Sequence, residues 1–275
     1  MTGEVDEFCP PPSYGGGYRR GKATKAMLET QSLTIRFGGH VAVDGVTCAF
    51  QPGTLTSIVG PNGAGKTTYF NLISGQLPAT SGTVRLNGTD ITGYAAPRRT
   101  RLGLGRAFQL TNLFPNLSAL ENVRLAVQVK SDKGLNLLSR VSTHRELTDR
   151  AREHLAAVSM SDSADAVAAT LSHGDQRKLE VAILLALEPD ILMFDEPTAG
   201  MSIDEVPTIL SIIAAIKQRG DKTILLVEHK MDVVRSLSDR IVVLHQGKLV
   251  ADGKPAEVIA SDIVREAYLG GAADA

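Results

Sequence analysis

Cysteine is almost missing from this chain: Cys9 and Cys48 are the only two in 275 residues, far apart and without histidine at metal-ligand spacing. Neither a disulfide scaffold nor a zinc site is supported, and a reducing cytoplasm is the expected compartment. Charge of one sign is lacking too. Lys plus Arg number 29 against 30 Asp plus Glu, a formal net charge of −1, so no broad basic field draws the chain to nucleic acid. Long apolar runs are absent as well; stretches such as 209–216, IleLeuSerIleIleAlaAlaIle, fall short of the roughly 18 residues that span a bilayer. Any membrane role is therefore expected to come through partner chains. Residues 1–27 lack the apolar core of a signal peptide. They hold Pro10-Pro11-Pro12, Gly15-Gly16-Gly17 and the basic residues Arg19, Arg20, Lys22 and Lys25, the composition of a disordered tail. Met27, where patterned sequence begins, is the expected natural start.

What is present centres on Gly60-Pro61-Asn62-Gly63-Ala64-Gly65-Lys66-Thr67-Thr68, which directly follows the apolar, β-branched run Leu55 to Val59. The stretch fits G-x-x-x-x-G-K-[ST] in the strand, turn, helix setting which that motif needs. Its glycines let the backbone turn its N–H groups inward, and the helix starting near Lys66 adds its positive dipole end to the same hollow. A nucleoside triphosphate is the expected guest, with Lys66 reaching the β- and γ-phosphates and the Thr67 hydroxyl on Mg²⁺. The hydrophobic content of 43% suits one large α/β domain with an appended subdomain.

The rest of the chain supplies further candidates. Residues 32–37 and 45–50 alternate as two short strands joined through Gly38-Gly39, a half-exposed antiparallel sheet beside the main core. Phe37, at that turn, is either an edge aromatic or a ring free to stack on a base. Residues 82–88 and 103–108 are further strands, the second followed by Gln109. The loop from Leu110 to Pro115 then breaks the strand pattern and exposes Leu113 and Phe114. Ser118 with Glu121 makes a capping box, and from there to about Leu187 the pattern is helical throughout, weakest at 131–143. Within it, Ser172 and Asp175 are an N-cap pair ahead of a strong helix, which is either a bare cap or an anion site. The buried run Ile191 to Phe194 ends in Asp195-Glu196. With a glycine loop present, this places Asp195 on Mg²⁺ and Glu196 on the attacking water. The buried run 223–227 closes in Glu228-His229, where His229 is a core histidine or a residue of the phosphate side. Residues 241–245 and 248–251 form a hairpin around Gln246-Gly247, with His245 structural.

Taken in order, Phe37, the loop 60–68, Gln109, Leu171 to Asp175, Asp195-Glu196 and His229 resemble the nucleotide-binding subunit of ATP-binding cassette transporters, from Leu28 almost to the C-terminus. The resemblance implies a P-loop, RecA-like α/β core with an antiparallel β subdomain (28–109 and 188–275) and an inserted α-helical subdomain (110–187). It implies ATP with Mg²⁺, and a head-to-tail dimer with a second such ATPase subunit, identical or not. In that dimer each glycine loop faces Ser172 and Gly174 of the other subunit. Phe37 would stack on adenine, Gln109 would touch Mg²⁺ and the attacking water, and His229 would hold the γ-phosphate. Two positions depart from the usual family pattern. His173 and Asp175 replace residues of the common Leu-Ser-Gly-Gly-Gln, and Ser202 stands where an aspartate usually crosses the dimer.

Gly105 to Pro115, Gln176 to Glu180, Glu228 to Met231 and Ala267 to Gly270 are similar to the branched-chain amino acid importer ATPases, which implies two membrane permeases and a periplasmic or extracellular solute-binding protein. The chain would then sit on the cytoplasmic face of the inner membrane as a peripheral subunit, with no nucleic-acid partner. Urea and short-amide importers share Leu171 to Gly174 and Leu244 to Gly247, and a lipid exporter would use the same engine. A soluble cassette acting on ribosomes or DNA would carry a second cassette, a coiled-coil insertion or a basic arm. A P-loop kinase or GTPase would not explain Leu171 to Asp175 or His229.

Overall fold

Continuous apolar runs become the middle of a sheet. In the computed structural model, which describes residues 27–107, 113–131, 141–261 and 264 (141–144 by backbone only), strands β1 (Leu28–Phe37) and β2 (His40–Phe50) pair antiparallel. They are followed by β3 (Leu55–Val59), β4 (Ser81–Leu86), β5 (Thr89–Asp90), β6 (Leu104–Ala107), β7 (Ile191–Asp195), β8 (Thr223–Val227), β9 (Arg240–His245) and β10 (Lys248–Gly253). The larger sheet has the order β10-β9-β3-β8-β7-β6 and is parallel except for the edge strand β10. Every residue of β3, β7 and β8 is buried, because a parallel sheet covered on both faces leaves no polar face to alternate. The smaller sheet, β2-β1-β4-β5, is antiparallel.

β1 and β2 are longer than the sequence pattern indicates. Their register shifts between Thr30 and Leu33, where Ser32 has φ 46°, and a bulge of this kind breaks the period-2 alternation that marks a strand. The hairpin β9–β10 forms as expected. Gln246 and Gly247 both have positive φ, 47° and 78°, the geometry of a tight turn between twisted antiparallel strands.

Helix α1 (Lys66–Ser74) follows the glycine loop and α2 (Ala96–Arg101) precedes β6. The helical region holds α3 (Ala119–Lys130), α4 (Val141–Ala157) and α5 (His173–Ala186). α3 starts on its capping box, with the Ser118 hydroxyl oxygen accepting from the Glu121 backbone N–H at 3.1 Å. The expectation of helix throughout 118–187 is corrected between α4 and α5, where only two short 3₁₀ turns, Ser161–Ser163 and Ala168–Thr170, interrupt irregular chain. That chain completes the start of α3: Ala119 and Leu120 N–H donate to the carbonyls of Ala166 and Ala164. Tertiary pairing with unsatisfied helix N–H groups outweighs the helical propensity of this Ala-rich stretch. α6 (Val206–Gln218), α7 (Met231–Leu237) and α8 (Pro255–Ala260) complete the elements. One buried cluster joins α3, α4 and α5 to Leu192 and Phe194 of β7, so the helical region packs directly on the sheet.

Arg99 is 2% exposed, although arginine is seldom buried without a carboxylate. Its guanidinium donates to the carbonyls of Thr92, Tyr94, Leu72 and Ile73 at 2.6–2.8 Å. The last two belong to the final turn of α1, where carbonyls lack helical partners. Burial lowers the Arg99 pKa to about 10, which leaves it charged at neutral pH. Arg99→Met strands the carbonyls of Thr92, Tyr94 and Ile73, Leu72 keeping the Gly75 N–H, and is expected to cost about 3 kcal/mol or more, read as a fall in the urea midpoint.

Candidate active site

The glycine loop leaves the buried end of β3 and enters α1 through Gly65. Gly65 has φ 93°, and a Cβ there would sit 2.4 Å from the Ala42 carbonyl oxygen of β2, so only glycine lets the small sheet close against the loop. A cavity of about 430 Å³ opens over it, lined by residues 62–68 with Phe37, His40, Ala42, Glu196 and His229. The candidates Asn62, Gly63, Ala64, Gly65, Lys66, Thr67, Thr68, Phe37, Glu196 and His229 thus line one cavity. His40 and Ala42 were not foreseen, because a hairpin reaches the cavity only through the pairing of two sheets.

Lys66 is 5% exposed. Its ammonium donates to the carbonyls of Gly60 at 2.7 Å and Pro61 at 2.9 Å. Burial pulls the Lys66 pKa down, and the charges of Glu196 and Asp195 push it back up. An ammonium carries three donors, so it can hold the loop and still meet an anion in the cavity. Phe37, at the end of β1, is 50% exposed, an apolar ring presented to the cavity rather than to a core.

The two acidic residues after Phe194 have different surroundings. Asp195 is 5% exposed, and its Oδ2 accepts from Arg106 Nη2 at 2.6 Å. Burial raises the Asp195 pKa and Arg106 opposes that rise. Asp195 Oδ1 is buried and has no hydrogen-bond partner, so it could accept from a water or hold a cation. Glu196 turns out of the sheet at φ 50°, an uncommon conformation for a residue with a Cβ and one often found at active sites. Its Oε1 lies 2.6 Å from His229 Nε2, both side chains open to solvent. Two candidates 33 residues apart are therefore one pair.

Glu228 was passed over in sequence, and the structure explains its place. It is 3% exposed, one oxygen accepting from the Thr198 hydroxyl at 2.6 Å and the other from the N–H groups of His229 and Lys230 at 2.8 and 3.2 Å. It thereby sets the turn that presents His229 to Glu196. A glutamate closing a buried strand was the available signal.

Ser172 and Gly174 lie outside the cavity wall. Ser172 caps α5, its hydroxyl oxygen accepting from the Asp175 N–H at 3.1 Å. The three-residue spacing of Ser172 and Asp175 would let the Asp175 carboxylate reach back to backbone N–H near Ser172 as in a capping box, but Asp175 makes no such bond. Its carboxylate instead accepts from Lys178 Nζ at 2.9 Å and the Ser172 hydroxyl at 3.1 Å, bonds that hold its pKa below the usual carboxylate range. Asp175→Ala removes an acidic side chain from the first turn of α5 and its i,i+3 pair with Lys178, and is expected to lower stability by about 0.3–1 kcal/mol, measured by urea unfolding. The Gly174 N–H donates to Glu205 Oε1 at 3.2 Å, and the other Glu205 oxygen accepts from the N–H and hydroxyl of Ser202. A Cβ on Gly174 would lie 2.3 Å from Glu205 Oε1. Gln109, Leu110 to Asn112, Ala267 to Gly270 and the tail 1–26 lie outside the described residues.

A lysine-bearing glycine loop beside a strand ending in paired acidic residues defines a P-loop nucleoside triphosphatase. Residues 43–199 match the family model described as ABC transporter, and residues 248–274 match the one described as branched-chain amino acid ATP-binding cassette transporter. The chain belongs to the ABC transporter family, and it binds and hydrolyses ATP. It is similar to the high-affinity branched-chain amino acid transport ATP-binding protein BraF of Pseudomonas aeruginosa, 38% identical over 90% of this chain and 99% of the relative. LivG of Escherichia coli, of the same description, is 37% identical over 90% and 99%. Among solved structures, the ADP conformation of MJ1267, an ATP-binding cassette of an ABC transporter, superposes with TM-score 0.76 at 28% identity, covering 90% of this chain and 100% of that one. The post-hydrolysis state of the cassette MJ0796, dimeric and bound to ADP and Pi, does so with TM-score 0.71 at 27% identity over 83% and 98%.

Proposed function

We propose that this chain powers uptake of branched-chain, hydrophobic amino acids by hydrolysing ATP beneath two membrane permeases, supplied by a solute-binding protein outside. The match of residues 248–274 to the branched-chain model carries the substrate assignment, and relatives such as BraF and LivG agree with it. ATP lies over the loop 60–68, its adenine on Phe37 and its β- and γ-phosphates against Lys66. Water attacks the γ-phosphorus, the bond to the β-phosphate oxygen breaks, and ADP and phosphate leave; Glu196 accepts the proton of that water, and His229 holds Glu196 and the γ-phosphate. Thr67, Asp195 and Gln109 would hold Mg²⁺, which would supply charge neutralisation for the phosphoryl transfer; the partnerless Asp195 Oδ1 suits this role.

The functional unit is a pair of cassettes, with Ser172 and Gly174 of one facing the nucleotide of the other; the dimeric MJ0796 cassette supports that arrangement. Division of the chain at 110 and 187 separates the helical subdomain from the core. No helix among the described residues is long and apolar enough to cross a membrane, consistent with peripheral attachment to the permeases at the cytoplasmic face. Phe114 is 56% exposed while Leu113 packs on the helical cluster. The Phe114 N–H and carbonyl are both bonded to Asn122, so the ring stands on a fixed backbone as a permease contact. Phe114→Asp should fold and bind ATP like the parent but lose assembly with the permeases in a detergent pull-down; a sharp fall in the stability of the free subunit would place the ring in a core instead. Co-purification with the chain's membrane partners, followed by leucine uptake in vesicles, tests the whole reading. A complex that carries no branched-chain amino acid would overturn the substrate.

A further inference from the structure

Asp195 and Thr67, the two described residues assigned to the metal, stand on different elements, and one side chain ties those elements together. β6 and β7 run parallel, with Ala107 opposite Phe194, which sets Arg106 beside the end of β7. Its Nη2 donates to Asp195 Oδ2 at 2.6 Å, with only 7% and 5% of the two side chains exposed. Its Nη1 donates to Asn71 Oδ1 at 2.7 Å and Ser74 Oγ at 2.9 Å on α1, and to Gln76 Oε1 at 3.2 Å just beyond it. The guanidinium carbon also lies 5.4 Å from the centre of the Phe70 ring, again on α1. α1 is the helix that begins with Lys66 and Thr67. A planar guanidinium can serve a carboxylate on one nitrogen and a row of neutral oxygens on another at the same time, which a single ammonium does less well.

Two consequences follow from this geometry. A lone carboxylate rotates and offers either oxygen, whereas here Oδ2 is held and Oδ1, buried without a hydrogen-bond partner, is the oxygen left over. The separation of Asp195 from α1 is also set by the protein rather than by an incoming ion. Ordering that is built into the fold does not have to be supplied when the ligand binds.

We propose that Arg106 is a positioning residue that prearranges Asp195 and Thr67 for a divalent cation, an inference that rests on Asp195 being a metal-binding side chain. A guanidinium near a cation site also repels the cation. Preorganisation outweighs that repulsion here because the charge of Arg106 is directed to Oδ2 and to α1, leaving Oδ1 to the ion.

The test uses the full chain and Mn²⁺ as the probe. ADP affinity is measured by calorimetry in EDTA and again in Mn²⁺, and the ratio of the two reports the metal alone. Arg106→Gln is expected to keep the EDTA affinity close to the parent's and to lower the Mn²⁺ enhancement about tenfold or more, with Arg106→Lys recovering only part of it. Should Arg106→Gln fail to fold, the double variant Asn71→Ala/Ser74→Ala keeps the ion pair and removes the two hydrogen bonds from Arg106 to α1. It is expected to lower the enhancement severalfold. A role in packing alone would lower thermal stability and leave the ratio untouched. An unchanged ratio in folded variants overturns the proposal, and so does a larger one, which would mean that repulsion dominates. Asp195→Asn separates the two levels: if it abolishes the enhancement while the Arg106 variants retain it, only the positioning role falls. If Asp195→Asn retains it too, the metal assignment of Asp195 falls as well.

Discussion

Glu196→Gln is expected to leave ATP binding intact while hydrolysis slows by roughly 10²–10⁴-fold, the usual contribution of a group that takes a proton in the transition state. The amide has the size of the carboxylate and can still bond to His229, now 2.6 Å from Glu196 Oε1, so the cavity wall keeps its shape. What disappears is the basic oxygen that receives the proton. The lysine of the glycine loop keeps its anchorage on Gly60 and Pro61, which is why nucleotide affinity should persist. Single-turnover hydrolysis beside calorimetric binding separates the two quantities, and sedimentation in ATP should then reveal a persistent dimer. A variant that hydrolyses at the parent rate would mean that another group handles the water.

Lys66→Ala should have the opposite signature, with loss appearing already at binding. Its ammonium is the buried cation of the loop, and hydrogen bonds to charged groups contribute about 1.5–3 kcal/mol each. With two of its three donors on the loop, losing the remaining bond to a phosphate oxygen corresponds to roughly a 10- to 150-fold fall in ATP affinity. The variant also leaves the carbonyls of Gly60 and Pro61 without the donor that now joins them, so part of the loss reflects a loosened loop. Far-UV circular dichroism would confirm that the fold survives. ATP affinity and ATPase activity equal to the parent's would contradict the role of Lys66.

Elements whose cause is local were legible in the chain. β3, β7 and β8 are short runs rich in apolar and β-branched residues, the glycine loop carries its own conformational requirements, and the Ser118 and Ser172 caps each join residues three apart. Elements whose cause is distant were not. The Ser32 bulge hides half of β1 from any period-2 reading. The chain between α4 and α5 carries a helical composition, yet bonds to the start of α3 decide its path. Asp175 has capping-box spacing, but Lys178 and the Ser172 hydroxyl take its carboxylate.

Sequence by itself determined the chemistry of this protein: which residues can hold phosphate, carry a proton or bury a strand follows from residue type and short-range spacing. Only the tertiary structure decided which of those residues act together. Arg106 and Asp195 are 89 positions apart, Glu196 and His229 33, and Gly174 and Glu205 31. Each pair meets because parallel strand ends and helix N-termini converge at one side of a sheet. Such convergence depends on strand order and register, which are set by burial summed over the whole core and leave no mark at any single position.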